Sequence, residues 1–255
     1  MKKREFDLAL LYLWPIIASL VTLALKTNVF ISIIIYIVIP AIFLSIRKPS
    51  HIIKAAIFSL ILGTPLIIMI YYIGHVTNAW LMPSMFPLVF RFVNIEVILW
   101  IVFWIYFTVL FYETFFDKHV KVKLWHPHMK YLIMLMFSLF SIFLLFLYSA
   151  SSLLESIPYS YLFIGIMVVI IPTLLLLFNS PALLVKFLKT QIYFFYFNLI
   201  YELNGLALGW WTFPGTEFIG WISIFGLTFP IEELLFWIVI GAMAILSYYK
   251  FFDDC

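Results

Sequence analysis

Four glutamates stand inside long apolar runs or at their edges: Glu96, Glu202, Glu232 and Glu233. A carboxylate in hydrocarbon costs on the order of 3 kcal/mol or more, so such a residue is a functional-site candidate by default. The chemistry open to it is proton transfer, to a substrate or as part of a coupled ion path. Pairing with tyrosine hydroxyls, indole N–H groups or Asn78, Asn94, Asn198 and Asn204 would instead make it structural, and for Glu202 the two readings balance. Aromatic rings accompany the acids. Trp100 follows Glu96 by four residues, Phe236 follows Glu232 and Trp237 follows Glu233, each one helical turn on. Trp210 and Trp211 precede the second pair. Ring faces stabilise cations. An acid beside rings therefore suits a carbocation reaction on an alkene: a proton donor first, then a negative quadrupole for the positive charge. Ordinary packing of rings between helices would produce the same composition.

The elements that must position these groups are membrane helices. The chain is 66% hydrophobic, 21% aromatic and only 11% charged, whereas a soluble domain is about 25% charged. Apolar runs of about 20 residues mark spans. Eight are expected, at 7–25, 28–46, 51–73, 88–116, 130–150, 158–178, 181–205 and 218–249. The first is longer than a signal core and lacks a small-residue cleavage site, so it is expected to be retained. Of the fifteen Lys and Arg, only Lys26 and Arg91 fall on one side of the expected membrane. The rest predict that both ends face the cytoplasm. Pro230 suits a helix start, which would put Glu232 toward the outer side. The segment 207–229, rich in Trp, Gly and Pro, reads as an interfacial loop or a re-entrant stretch.

The sequence also repeats. Setting Phe116-Asp117 on Phe252-Asp253 gives a step of 136 residues, which puts Glu96 on Glu232 without a gap. Asn78-Ala-Trp80 resembles Leu208-Gly-Trp210, with a shorter connection to the first glutamate. The expectation is an all-α polytopic bundle of two parallel four-helix repeats, residues 1–119 and 120–255.

From Glu202-Leu-Asn-Gly through Trp210-Trp211 to Phe229-Pro-Ile-Glu-Glu-Leu-Leu-Phe-Trp237, the chain resembles the membrane-integral lycopene cyclases, whose units occur as heterodimers or fused in one chain. The resemblance covers the whole chain in outline, but its specific motifs lie within about 60 residues of the second half. It implies cofactor-free, acid-catalysed cyclisation of the open end groups of lycopene or a related linear carotenoid to ionone-type rings. It implies Glu232, with Glu233 and Glu96, as the acid groups, and Trp210, Trp211, Phe236, Trp237, Trp100 and Glu202 as substrate lining. The first copy reads Asn94-Ile-Glu-Val-Ile-Leu-Trp100. It lacks the proline and the second glutamate, so the number of ends cyclised stays open.

Two other classes remain: a proton-coupled transporter and a non-catalytic carotenoid-binding membrane protein. A Glu-Glu intramembrane protease would need an Arg soon after the pair and His in other spans, and Leu234-Leu-Phe-Trp237 follows instead. A rhodopsin would need a mid-membrane Lys in its last span, where only the terminal Lys250 occurs. His126 and His128 in a Lys-rich loop read as solvated charge, and no metal site is expected. The lone Cys255 can form no disulfide within the chain, and no Gly-rich dinucleotide motif is present. The expected partners are a lipophilic polyene and the bilayer, with no nucleic acid; the oligomeric state is open.

Overall fold

The computed structural model describes residues 3–117 and 127–250. Phe252, Asp253, Cys255, His126 and several basic loop residues lie outside that range. Among the described residues, six helices are long and apolar enough to cross a membrane: α1 (Arg4–Leu25), α2 (Val29–Arg47), α3 (Pro49–Val76), α4 (Ile95–Phe115), α5 (Met129–Ser149) and α6 (Ser160–Asn179). Next come α7 (Leu184–Leu208) and the strands β1 (Trp221–Ile224) and β2 (Leu227–Pro230). Helices α8 (Ile231–Val239) and α9 (Gly241–Tyr249) meet at a 45° bend and together could form a seventh span. Helix α7, with Lys186, Lys189, Gln191, Asn198, Glu202 and Asn204, is not among the six. The protein is a mostly helical membrane-type bundle.

Two expected spans begin later than composition suggested. Residues 88–94 are not helical; Val89 and Val93 form an isolated bridge, and α4 starts at Ile95. Residues 221–230 form an antiparallel hairpin instead of the start of a helix. Its two-residue loop, Phe225-Gly226, has positive φ at both positions (52° and 80°), which matches the twist of the flanking strands. Apolar β-strands and apolar helices share composition, so a hydropathy window merges them.

Proline punctuates the two halves in the same way. In α2, a π-type stretch at Ile34–Val38 precedes Pro40; in α6, one at Gly165–Ile170 precedes Pro172. Proline lacks an N–H and crowds the carbonyl four residues back, and a widened turn accommodates it. Lys48 (φ −133°, ψ 60°) and Ser180 (φ −140°, ψ 66°) leave the helical region just before Pro49 and Pro181, because proline disfavours the α conformation in the preceding residue. Each is followed by one 3₁₀ turn and then a 25-residue helix, Ile52–Val76 or Leu184–Leu208. The step from Pro40 to Pro172 and from Pro49 to Pro181 is 132 residues, against 136 from Glu96 to Glu232. The connection after α7 is longer by those four residues.

Helix α4 lies at the centre, with 61% of its apolar window buried, against 17% for the lipid-facing α5. Rings join it to α7: Phe111 stacks on Tyr193 with centroids 4.3 Å apart, and Phe107 meets Phe194 and Phe197 edge-on. One end of the bundle is closed by polar contacts. Arg47 bonds Asp7 at 2.7 Å, His51 Nε2 lies 2.9 Å from Glu113 Oε2, and Tyr249 donates to Glu113 Oε1 at 2.7 Å. His51 and Glu113 are both buried.

Candidate functional site: an aromatic cage with two carboxylates

The connection after α7 builds one side of the site. Gly209 ends the helix in the left-handed conformation (φ 67°), the usual glycine role at a helix C-terminus. The chain then folds back over α7. A Cβ at Gly205 would lie 2.2 Å from the Trp211 ring, so only glycine lets the indole approach this closely. Trp211 Nε1 donates to Glu202 Oε1 at 3.0 Å. Leu81 and Thr212 exchange backbone hydrogen bonds of 2.9 Å in an antiparallel bridge. That bridge joins the two connections between long helices and, being antiparallel, sets Trp80 opposite Phe213 and Met82 opposite Trp211.

Each helix contributes one stripe. Asn198, Tyr201 and Glu202 lie three and four residues apart on α7, so they share a face. Trp100 and Trp104 on α4 are parallel within 3°, with centroids 5.9 Å apart. Glu233 and Trp237 are one turn apart on α8. With Ile67 and Ile70 of α3, Tyr161 of α6, Ile238, Trp80 and Trp211, they enclose a cavity of about 40 Å³. Five of the nine tryptophans line it. No Lys, Arg or His is in the lining.

The polar groups are tied down. The Tyr161 hydroxyl donates to Glu233 Oε2. Trp104 Nε1 donates to Asn198 Oδ1 at 3.1 Å, and Asn198 Nδ2 donates to the Trp237 carbonyl at 3.1 Å. Trp100 Nε1 is buried and has no hydrogen-bond partner among the described residues, so this ring is held by packing alone. The arrangement pairs two carboxyl groups with ring faces in a small, mostly apolar space. It can give and take a proton and shelter a cation between the two events.

Of the residues singled out in the sequence, the structure brings together Glu202, Glu233, Trp211, Trp237 and Trp100. It places the other four elsewhere. Glu232 is fully buried and faces the connection, where the Ile219 N–H donates to its Oε1 at 2.6 Å; its Oε2 has no partner among the described residues. Glu96 does the same in the first half, accepting from the Met85 N–H at 2.6 Å. Neighbouring helical residues point about 100° apart, so Glu232 meets the connection while Glu233 meets the cage. Trp210 donates to the Thr27 carbonyl at 2.7 Å, and Phe236 packs beside Val169 and Ala244. Trp80, Trp104, Asn198, Tyr161 and Tyr201 were not foreseen as lining. Asn198 carried a signal, one turn before Glu202, and Tyr201 lies three residues after Asn198; Tyr161, from a distant helix, carried none. Among the described residues, no three His, Cys, Asp or Glu side chains group as a metal site would need.

Compared with known proteins, the chain matches no family model, no curated protein and no solved structure.

Proposed function

We propose that the protein is a membrane-integral carotenoid cyclase of the lycopene cyclase type, acting on a linear polyene without a cofactor. The observation that carries this reading is the cage itself, with Glu202 and Glu233 in one cavity walled by five tryptophans and two tyrosines. In the reaction, one carboxylic acid protonates the terminal double bond of the open end group. The neighbouring double bond supplies the electron pair that closes the six-membered ring on the tertiary cation. The new cation, now in the ring, loses a proton to a carboxylate, so the product is an isomer of the substrate. Glu233, oriented by Tyr161, is the proposed acid, and Glu202, oriented by Trp211, the proposed base. The sequence reading favoured Glu232 as acid; its hydrogen bond to Ile219 suits a structural tie better.

A cavity of about 40 Å³ is little more than one water's share of liquid volume, and a benzene-sized ligand needs roughly 150 Å³. An end group must therefore displace a wall, and Trp100, which no hydrogen bond fixes, is the ring proposed to move. The recurring proline pattern and the Leu81–Thr212 bridge support the finer reading as two parallel four-helix units with eight spans. The basic end of the bundle, with Arg4, Arg47, Lys48, Lys54 and Lys186, supports cytoplasmic termini and residence in the cell membrane.

The test is expression in a host that makes lycopene and lacks cyclases, followed by pigment chromatography. Cyclic products that disappear in Glu233→Gln, with the protein still present, are the expected result. Well-expressed protein that leaves lycopene and its linear relatives unchanged would sink the reading. Proton-driven uptake by liposomes would favour a transporter, and binding without conversion a carotenoid carrier.

A further inference from the structure

A second cavity, of about 700 Å³, opens between α5 and α6. Its floor is Leu62 and Leu66 of α3 with Ser247 and Tyr248 of α9. Along α6 it runs from Phe163 to Asn179, roughly 24 Å at about 1.5 Å per residue. That is most of the ~30 Å hydrocarbon thickness. Its outer walls face the lipid: Leu135 is 47% exposed and Leu175 59%.

Three of the polar side chains in this crevice bond to backbone, while Tyr131 lines it from the first turns of α5. Tyr248 donates to the Val168 carbonyl at 2.9 Å, Ser247 to Met243 at 2.9 Å and Asn179 to Leu175 at 2.9 Å. With those three groups bonded to backbone and the other lining residues between Phe163 and Leu176 apolar, the crevice suits a hydrocarbon chain along most of its length. It also adjoins the cage. On α3, Leu66 faces the crevice and Ile70, one turn on, lines the cage. On α6, Tyr161 lines the cage and Phe163, two residues later, the crevice. The cage is far too small for the body of a long polyene, so the remainder of such a substrate needs a berth within reach of it.

We propose that the α5–α6 crevice is the binding groove for the body of a linear polyene, filled sideways from the bilayer, with one end group presented to the cage past Leu66 and Tyr161. The identity of the ligand rests on the cyclase reading; the groove and its apolar chemistry do not. Because the groove meets a single cage, one end reacts per binding event, and a bicyclic product requires release and rebinding.

The test uses the full-length protein in phosphatidylcholine nanodiscs with lycopene as the probe. Induced circular dichroism in the polyene absorption band reports binding, and conversion is followed in the lycopene-producing host. Leu135→Trp and Leu175→Trp fill the groove from its lipid-facing walls, where added volume does not strain the core. Leu20→Trp, on the lipid face of α1, is the control for an added surface indole. The groove variants are expected to lose the induced signal and to slow conversion by about tenfold or more, with Leu20→Trp unchanged in both. Time courses are expected to show free monocyclic product before the bicyclic one. Groove variants that bind and convert like the parent would overturn the proposal while leaving the cyclase reading intact. Phospholipid that stays in the groove undisplaced by lycopene would also overturn it. A parent protein that gives the induced signal but converts nothing would remove the cyclase reading and leave the groove standing.

Discussion

At residues 94–97 the chain reads Asn-Ile-Glu-Val, and at 230–233 it reads Pro-Ile-Glu-Glu. Both segments start a helix after an extended N-cap residue (Asn94 ψ 133°, Pro230 ψ 146°). In both, the first glutamate is fully buried and ties the preceding connection through one backbone N–H at 2.6 Å. The next position differs. Glu233 enters the cage and meets Tyr161, whereas Val97 is fully buried in apolar packing. The same contrast holds on the long helices. Glu202 lines the cage from α7, and Ile70, 132 residues earlier, lines it from α3. Each segment keeps its tie, but only the second adds a carboxyl group to the cage. A buried carboxylate is tolerated where a donor waits for it, and an apolar residue fills the position where none does.

The largest effect is expected at Glu233. Glu233→Gln is expected to lower cyclisation by about 100-fold or more, the usual worth of a general acid, measured as product per unit of membrane protein. Activity near the parent level would return the acid role to Glu202 or Glu232. The reverse change, Val97→Glu, puts a carboxyl group into packing that has no donor for it. It is expected to destabilise the protein by about 3 kcal/mol or more, seen as loss of the monodisperse species on heating in detergent. A stable Val97→Glu protein would mean that the two halves are less different than their packing indicates.

The ties should behave alike in both halves. Glu96→Ala and Glu232→Ala each leave a backbone N–H without its acceptor, at a cost of about 1–3 kcal/mol. Glu96→Gln and Glu232→Gln keep a carbonyl acceptor and are expected to melt closer to the parent. Loss of cyclisation in Glu232→Gln with an unchanged melting temperature would show that Glu232 does more than hold the connection. The smallest effect is expected between the stacked indoles. Trp104→Phe breaks the bond to Asn198 and should cost about 1 kcal/mol of stability. Trp100→Phe breaks no hydrogen bond, so its effect should fall on conversion.

The sequence by itself determined the solvent and the class of fold. Only lipid accommodates this much apolar surface, and only helices satisfy the backbone there. It also marked Glu96, Glu202, Glu232 and Glu233, because carboxylates among apolar residues are conspicuous, and it placed a helix start at Pro230, which caps the helix that begins at Ile231. It misjudged where α4 begins and drew the last span from residue 218, since a hydrophobic strand or connection and a hydrophobic helix look the same to a hydropathy window. Of the adjacent pair, the sequence favoured Glu232 over Glu233. The 100° between them decides nothing until the neighbours of each face are known, and those neighbours are Ile219 on one side and Tyr161 on the other. The cage itself was decided only in three dimensions. Trp80, Trp104, Tyr161 and Trp211 come from four separate segments, and no local pattern records that the folded connections and the bundle axis bring them to one point.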